Sequence, residues 1–350
     1  MRGGLMKQKI AVFFGGRSTE YAVSLRSAAT VLSALSREKY DVLAVGITRE
    51  GAWLLTSATP EAIAADAWQE GSIPCLLSPD RAAPGLWLFP EGEPPRRELV
   101  RVLFPVMHGA YGEDGCMQGI FALSGIPHVG CGVRASAIGM DKAVTKTLMA
   151  ARGIPTLPHL TIPPDMPVAS AVSDAELRFC YPMFVKPTSG GSSVGAAKAK
   201  DRGELACAIA AAIPYGTVMI EPFLSAREIE VAVTDGHADG VGEIAAEGAE
   251  FYDYQTKYEK DTARLLIPAP LPQKTERAVR AYAEEVYRTL SCRGGVRVDF
   301  FLARDSGHLY FNEINTLPGF TDISMYPRLA RRGGSLSYLL DRLIEGAFSR

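Results

Sequence analysis

Little in this chain is extreme, and its scarcities narrow its class. Lysine plus arginine (37) nearly balance aspartate plus glutamate (39), leaving a formal charge of −2. Nothing therefore pulls it electrostatically towards nucleic acid or an anionic membrane, and neither is expected as a partner. No apolar run approaches the roughly 18–20 residues needed to cross a bilayer. The opening residues Met1-Arg2-Gly3-Gly4-Leu5-Met6-Lys7 hold no secretory hydrophobic stretch, and Met6 is an alternative start. The six cysteines, at positions 75, 116, 131, 180, 207 and 292, form no CxxC pair and no metal spacing with histidine. Free thiols in a reducing cytoplasm are expected. There is no internal repeat and no low-complexity tract.

What is present suits an enzyme. A chain of 350 residues, 47% hydrophobic and 22% charged, can bury two or three cores. The richest stretch is Gly295–Gly319. Val296, Val298 and Phe300 alternate with Arg297, Asp299 and Phe301, the period of a strand. Asp305-Ser306-Gly307 signals a turn, and a second alternating run comes back from Leu309 to Asn315. A hairpin centred on Ser306 sets Asp299 opposite Glu313 and Arg297 opposite Asn315, all on one face. Two carboxylates across a ladder destabilise it unless positive charge lies between them. Asp, Glu and an Asn carbonyl are hard oxygen donors of the kind Mg²⁺ takes alongside substrate phosphates, and Arg297 adds a fork suited to phosphate or carboxylate oxygens. The expectation is a magnesium–nucleotide site.

Upstream, Ile10–Phe14 reads as a buried parallel strand ending in Gly15-Gly16-Arg17-Ser18-Thr19-Glu20. A helix with Val23, Ser27, Val31 and Leu35 on one side follows, then a strand over Val42–Ile47. This order opens a doubly wound sheet. Short strands are expected at Gly51–Leu55, Cys75–Leu77 and Leu86–Phe89. A stronger strand, Val102–Met107, ends in the glycine-rich loop His108–Gly115, which suits close backbone approach to a ligand. Gly130-Cys131-Gly132-Val133-Arg134-Ala135 matches the dinucleotide fingerprint in form only. About 20 residues on stands Met149-Ala150-Ala151-Arg152, with no acid to hold a ribose hydroxyl, so a nicotinamide oxidoreductase is not indicated.

A helix from Asp141 to Arg152 stops at Gly153 and Pro155 and carries Lys142 in its first turn, against the dipole preference, which fits either a solvated lysine or one whose charge an anion cancels. Met183–Pro187 leads into the small-residue loop Thr188–Gly195 and another strand. That is strand–loop–strand, not a Walker P-loop, yet such a loop can still cover phosphates. Val218–Leu224 and Glu228–Val233 read as strands, and Thr275–Leu290 and Leu336–Phe348 as helices. Phe251–Tyr258, with three tyrosines and Lys257, suits either a water-excluding lid or a strand edge with packed aromatics, and pattern alone does not choose between them.

Taken in order, GGRSTEYAVS, HGAYGEDG, MDK, VKP…GSSVG, FYDYQTKY, RVD and NEINTLPGFTDISMYP resemble the D-alanine–D-alanine ligases of the ATP-grasp superfamily over nearly the whole chain. The resemblance implies a three-domain α/β ATP-grasp fold: an N-terminal Rossmann-like domain (1–132), a central subdomain (133–221) and a C-terminal subdomain (222–350) with metal site and lid. It implies a cytoplasmic homodimer in peptidoglycan synthesis, using ATP with two Mg²⁺ (or Mn²⁺) and admitting K⁺. One D-alanine is phosphorylated at its carboxylate, and the amine of a second attacks the acyl phosphate.

By resemblance, Asp299, Glu313 and Asn315 hold the metals. Lys142 and Lys186 neutralise the phosphates, Ser192 and Ser193 close over them, Glu221 meets the adenine region and Glu228 the ribose, and Pro222, Phe223, Leu224, Lys257, Asn312 and Glu313 complete the nucleotide site. Arg297 and the Gly319 N–H stabilise the reacting centre. Glu20 anchors the first ammonium, with His108 near its carboxylate. Ser192, Tyr258 and Glu20 link lid to subsite, and Ser324 and Met325 line the second subsite. Relatives making D-Ala–D-Ser or D-Ala–D-lactate tend to carry Arg where Met325 stands, and lactate makers another lid residue where Tyr258 stands, so D-alanine is favoured. A D-Ala–D-Ser or D-Ala–D-lactate ligase, or another ATP-grasp carboxylate–amine ligase, is the alternative, and a non-catalytic regulator is disfavoured by the intact acids and Arg297. Three positions depart from the family: Ala22, Gly190 and Pro222, the last without an N–H to donate. Tyr258→Phe is expected to weaken lid closure and alter second-substrate choice. Product ratios that stay unchanged across a range of pH would refute the effect on specificity.

Overall fold

The computed structural model describes residues 7–191, 194–246, 263–321 and 323–348. Its strands form three sheets. The first contains β1 (Gln8–Gly15), β2 (Tyr40–Ile47), β3 (Trp53–Thr56), β4 (Ile73–Leu77), β5 (Leu86–Leu88), β6 (Arg96–Glu98) and β7 (Val102–Pro105) in the order β6-β5-β4-β3-β2-β1-β7. Only β2, β1 and β7 run parallel, and β3 to β6 join as an antiparallel extension. The doubly wound expectation therefore holds for three strands.

Burial explains the change. Ile10 to Phe14 are 0% exposed, so both faces of β1 are covered, as a parallel strand requires. In β4, Cys75 and Leu77 are buried while Leu76 between them is 57% exposed, the alternation of a sheet covered on one side. Helices α1 (Tyr21–Ala34), α2 (Pro60–Ala64) and α3 (Cys116–Ser124) complete this part. Two helices in tandem, α4 (Val133–Met140) and α5 (Lys142–Ala151), then lead out of it. The Asp141 carboxylate caps α5, accepting from the Ala143 and Val144 N–H groups at 2.9 and 3.0 Å.

The second sheet is antiparallel, β10-β9-β11-β8, from β8 (Leu160–Ile162), β9 (Met183–Pro187), β10 (Ala197–Ala199) and β11 (Val218–Pro222). Helices α6 (Val168–Arg178) and α7 (Arg202–Ala212) bury Val172, Ala175, Leu205 and Ile209 against its Val185 and Ile220. The third, also antiparallel, is β14-β13-β12-β15-β16, from β12 (Ala226–Thr234), β13 (His237–Ala246), β14 (Ala263–Leu266), β15 (Gly295–Ala303) and β16 (Leu309–Asn315). Helix α8 (Gln273–Leu290) repeats Val279, Ala283, Val286 and Leu290 on one face and lays that stripe on β12, β13 and β15.

The last helices, α9 (Met325–Ala330) and α10 (Leu336–Phe348), return to the start of the chain. Leu339, Leu340, Leu343 and Ile344 of α10 share one core with Val31 and Leu32 of α1 and Val102 and Phe104 of β7. The loop after β16 is thereby pressed against α1, which sets residues from both ends of the chain side by side. No helix of the described residues is long and apolar enough to cross a membrane.

Gly295 shows how tightly α9 seats on the third sheet. A Cβ built there would lie 1.8 Å from the buried Tyr326 hydroxyl oxygen, which pairs with Thr234 Oγ1 at 3.0 Å. Gly295→Ala is expected to destabilise by about 1–3 kcal/mol, as overpacking does. Thermal melts should show less than additive loss when Tyr326→Phe is combined with it; strict additivity would contradict the packing account.

Candidate active site

The β15–β16 hairpin carries the densest charge. Arg297 pairs with Asn315 and Asp299 with Glu313, the register expected from alternation. The expected symmetry fails one step further out, where Phe300 pairs with Phe311 and Phe301 with Tyr310. A bulge at Asn312 causes the slip. An extra residue lets Asn312 and Glu313, neighbours that a regular strand would aim at opposite faces, line the same cavity. Next to β15, β12 pairs antiparallel and sets Glu230 opposite Asp299. Three carboxylates, Glu230, Asp299 and Glu313, thus form a row across three strands.

Cations hold that row together. The Arg297 fork donates to Asp299 through Nε (2.8 Å to Oδ1) and Nη2 (2.8 Å to Oδ2), and its Nε lies 3.2 Å from Glu230 Oε2. Burial would lower the arginine's pKa, but Asp299 and then Glu230 push it well above its ordinary value. Lys142 Nζ lies 3.2 Å from Glu313 Oε2 and donates to the Gly190 carbonyl at 2.8 Å. Gly190 has φ +134°, a conformation L side chains rarely adopt, which favours glycine here.

A second cluster closes the opposite wall. Glu221 is 1% exposed and sits between two lysines, Lys146 on one oxygen and Lys186 on the other at 2.9 Å. Lys186 also donates to Asn312 Oδ1 at 3.2 Å. Desolvation alone would raise the Glu221 pKa, yet Lys186 and Lys146 overcome it and hold it down to about 2. Lys146 is wholly buried; desolvation lowers its pKa to about 8 despite the opposing pull of Glu221. Burying an ion costs several kcal/mol, so neither lysine tolerates loss of the carboxylate they share.

These residues surround two adjoining cavities. The first is lined by Lys142, Lys186, Glu221, Pro222, Phe223, Leu224, Glu228, Asp299, Asn312 and Glu313. The second is lined by Glu20, His108, Arg297, Asn315, Gly319, Ser324 and Met325. Gly191, Glu230 and Glu313 belong to both walls. Of the residues expected to hold metal, Asp299 lines the first cavity, Asn315 the second and Glu313 both, while Lys142, Lys186, Glu221 and Glu228 line the first and Glu20, His108, Gly319, Ser324 and Met325 the second. Ser192, Ser193, Lys257 and Tyr258 lie outside the described residues.

In the second cavity Glu20 stands at the N-terminus of α1, where negative charge is favoured. Glycines approach it from two sides: a Cβ on Gly191 would be 2.4 Å from its Oε2, and one on Gly109 2.8 Å. His108 lies between Ser27 Oγ (3.2 Å from Nε2) and Glu113 Oε1 (3.3 Å from Nδ1). Desolvation, aided by Glu20, raises the Glu113 pKa even though His108 opposes it. Ser27 Oγ also accepts from the Phe320 N–H at 3.3 Å. A Cβ on Gly319 would lie 3.0 Å from Ser324 Oγ and 3.7 Å from His108 Nε2, so these three groups converge.

Ser27, Glu113, Lys146 and Glu230 went unseen in the sequence. Lys146 falls on the buried face of α5 with Ala143 and Met149, a charge in an apolar position that could have marked it.

The donor chemistry fits a divalent cation on a polyphosphate. Among the described residues no three His, Cys, Asp or Glu side chains form a cage by themselves. Asp299 and Glu313 would have to be completed by the Asn315 carbonyl, which here accepts from the Leu317 N–H at 3.1 Å, and by oxygens of a substrate, the partial protein shell Mg²⁺ prefers.

Comparison with known proteins agrees with this geometry. Residues 9–131 match the D-ala D-ala ligase N-terminus and residues 148–345 the D-ala D-ala ligase C-terminus. The chain belongs to the D-alanine–D-alanine ligase family. A family relative from Caldicellulosiruptor bescii, a D-alanine–D-alanine ligase, is 44% identical over 99% of this chain and 96% of its own. Another from Heliobacterium modesticaldum is 42% identical over 99% of this chain and 96% of its own. The ATP-grasp fold is shared with solved members of the family. The VanG D-Ala:D-Ser ligase from Enterococcus faecalis superposes with a TM-score of 0.88 at 36% identity, covering 98% of this chain and 100% of that one. The D-alanine–D-alanine ligase from Coxiella burnetii gives 0.84 at 32%, covering 99% and 95%.

The Glu221 clamp makes a pH prediction. A carboxylate whose folded pKa lies below its unfolded value adds stability above the unfolded pKa and loses it as pH falls through the folded one. From 4.5 down to about 2, that is about 3 kcal/mol. The melting-temperature gap between wild type and Glu221→Gln should therefore be small near pH 2 and open as pH rises to 4.5. A gap independent of pH would contradict the clamp.

Proposed function

We propose that this protein joins two D-alanines into D-alanyl-D-alanine at the expense of ATP, through an acyl phosphate, for peptidoglycan precursors in the cytoplasm. The observation that carries the reading is the division of the charged residues into two cavities whose common wall is Gly191, Glu230 and Glu313. A nucleotide on one side can then present its terminal phosphate to an amino acid on the other.

In this reading a carboxylate oxygen of the first D-alanine attacks the γ-phosphorus and the bond to ADP breaks. The free amine of the second D-alanine attacks the acyl carbon, a proton leaves the nitrogen, and phosphate departs. Phosphoryl transfer of this kind depends on positioning and charge neutralisation. Lys142, Lys186 and Asn312 face the phosphates, Glu221, Pro222, Phe223 and Leu224 the base, and Glu228 the ribose. Two Mg²⁺ or Mn²⁺ would be held by Asp299, Glu313 and Asn315 and would supply neutralisation of phosphate charge; K⁺ is an optional activator.

On the other side Glu20 takes the first ammonium and His108 lies by its carboxylate. Arg297 and the Gly319 N–H meet charge as it develops on the transferring group and on the tetrahedral carbon. Ser324 and Met325 frame the second subsite. Met325 is 3% exposed and carries no charge, which supports an alanine there over a partner recognised by a fixed ion. Ser192, Ser193, Lys257 and Tyr258 belong to the closing loops in this scheme. The proposal keeps domain divisions at 132/133 and 221/222 and a homodimer.

The direct test offers ATP, Mg²⁺ and D-alanine to the purified protein, with D-serine and D-lactate in competition, and identifies the product by mass. D-Alanyl-D-alanine is expected to dominate. Predominant D-Ala–D-Ser, the product class of the VanG relative, would overturn the assignment of the second subsite. Asp299→Asn and Glu313→Gln should each lower kcat by about 100-fold or more, comparable to loss of an oxyanion donor. Near-normal turnover in either would contradict the metal assignment.

A further inference from the structure

Glu230 has no part in the scheme above, yet it is 6% exposed and lies on the wall shared by both cavities. It faces Asp299 across the β12–β15 ladder, and its Oε2 is 3.2 Å from Arg297 Nε. Asp299 holds the same guanidinium through both carboxylate oxygens, at 2.8 Å each. If Asp299 turns to a divalent cation, the cation and Arg297 compete for one carboxylate, and a buried guanidinium left without a counter-charge is strongly disfavoured. A planar fork with one anchor removed also loses its aim.

We infer that Glu230 is a positioning residue that keeps Arg297 fixed at the junction of the two cavities while Asp299 serves the metal. The inference rests on the reading of Asp299 and Arg297 under Proposed function. It adds a division of labour between the two acids: one exchanges its partner during the cycle and the other does not. Its place on the strand supports this. Glu230 is flanked by Ile229 and Val231, both 0% exposed, so the backbone beneath it is locked in the sheet core.

The test is a double-mutant cycle with two readouts, steady-state kinetics and Mn²⁺ binding to the enzyme–ADP complex followed by electron paramagnetic resonance. Glu230→Gln keeps the side-chain shape and should lower kcat by about 100-fold, the cost of a misplaced catalytic group, with little change in KM for ATP. It should also weaken Mn²⁺ binding about tenfold, because Asp299 is no longer released freely. In an Arg297→Ala background the same substitution should change neither quantity by more than about twofold, since its target is gone. Should Glu230→Gln fold poorly, Glu230→Asp, which keeps the charge, should retain Mn²⁺ affinity closer to wild type.

Wild-type kcat and Mn²⁺ affinity in Glu230→Gln would overturn the inference, as would an equal loss with and without Arg297, which would make Glu230 a direct ligand. Asp299→Asn separates the two levels. If it loses Mn²⁺ affinity while Glu230→Gln does not, only the role of Glu230 falls. If Asp299→Asn binds Mn²⁺ normally, the reading of the site falls, and this inference with it.

Discussion

The structure turns on a row of like charges that no sheet would hold unaided. Glu230, Asp299 and Glu313 stand side by side on three neighbouring strands, a destabilising arrangement unless cations intervene. Arg297 and Lys142 intervene, one from the same strand and one from the start of α5. The charges are compensated but not extinguished, because Asp299 and Glu313 still border a cavity. In the proposed reading, such a site exchanges an internal cation for one that arrives with a polyphosphate.

The rest of the fold keeps those partners in place. Lys142 is aimed by the Asp141 cap and by the backbone bond from its N–H to the Thr188 carbonyl at 2.9 Å, which ties α5 to the end of β9. Lys186 is steadied by Glu221, and Glu221 by the wholly buried Lys146, so a buried pair fixes a lysine at the cavity surface. On the amino-acid side, α10 presses the loop after β16 against α1, and Ser27 joins His108 to that loop. Each of these cavity-lining groups is held by a second group packed against it.

Alternation and a turn signal were enough to place Asp299 against Glu313 and Arg297 against Asn315, because period-two patterning and one buried face specify register. The bulge at Asn312 was not legible, since Phe311-Asn312-Glu313-Ile314 reads equally well with or without an extra residue. Ser27 looked like a packing position on α1, and Glu230 like the polar half of an alternating strand. Their significance lies in neighbours distant in sequence, Phe320 for one and Arg297 for the other. Glu113 follows His108 by only five residues, but their pairing depends on the fold of a glycine-rich loop that carries no periodicity. The antiparallel extension of the first sheet was visible as short strands but not as topology.

The claim that these internal ion pairs yield to a metal-bound nucleotide is tested most directly by a crystal structure with magnesium and ADP bound. The account predicts magnesium between oxygens of Asp299 and Glu313, with the Arg297–Asp299 fork opened and Lys142 turned from Glu313 towards phosphate. Nucleotide bound with both ion pairs intact and magnesium held elsewhere would contradict it.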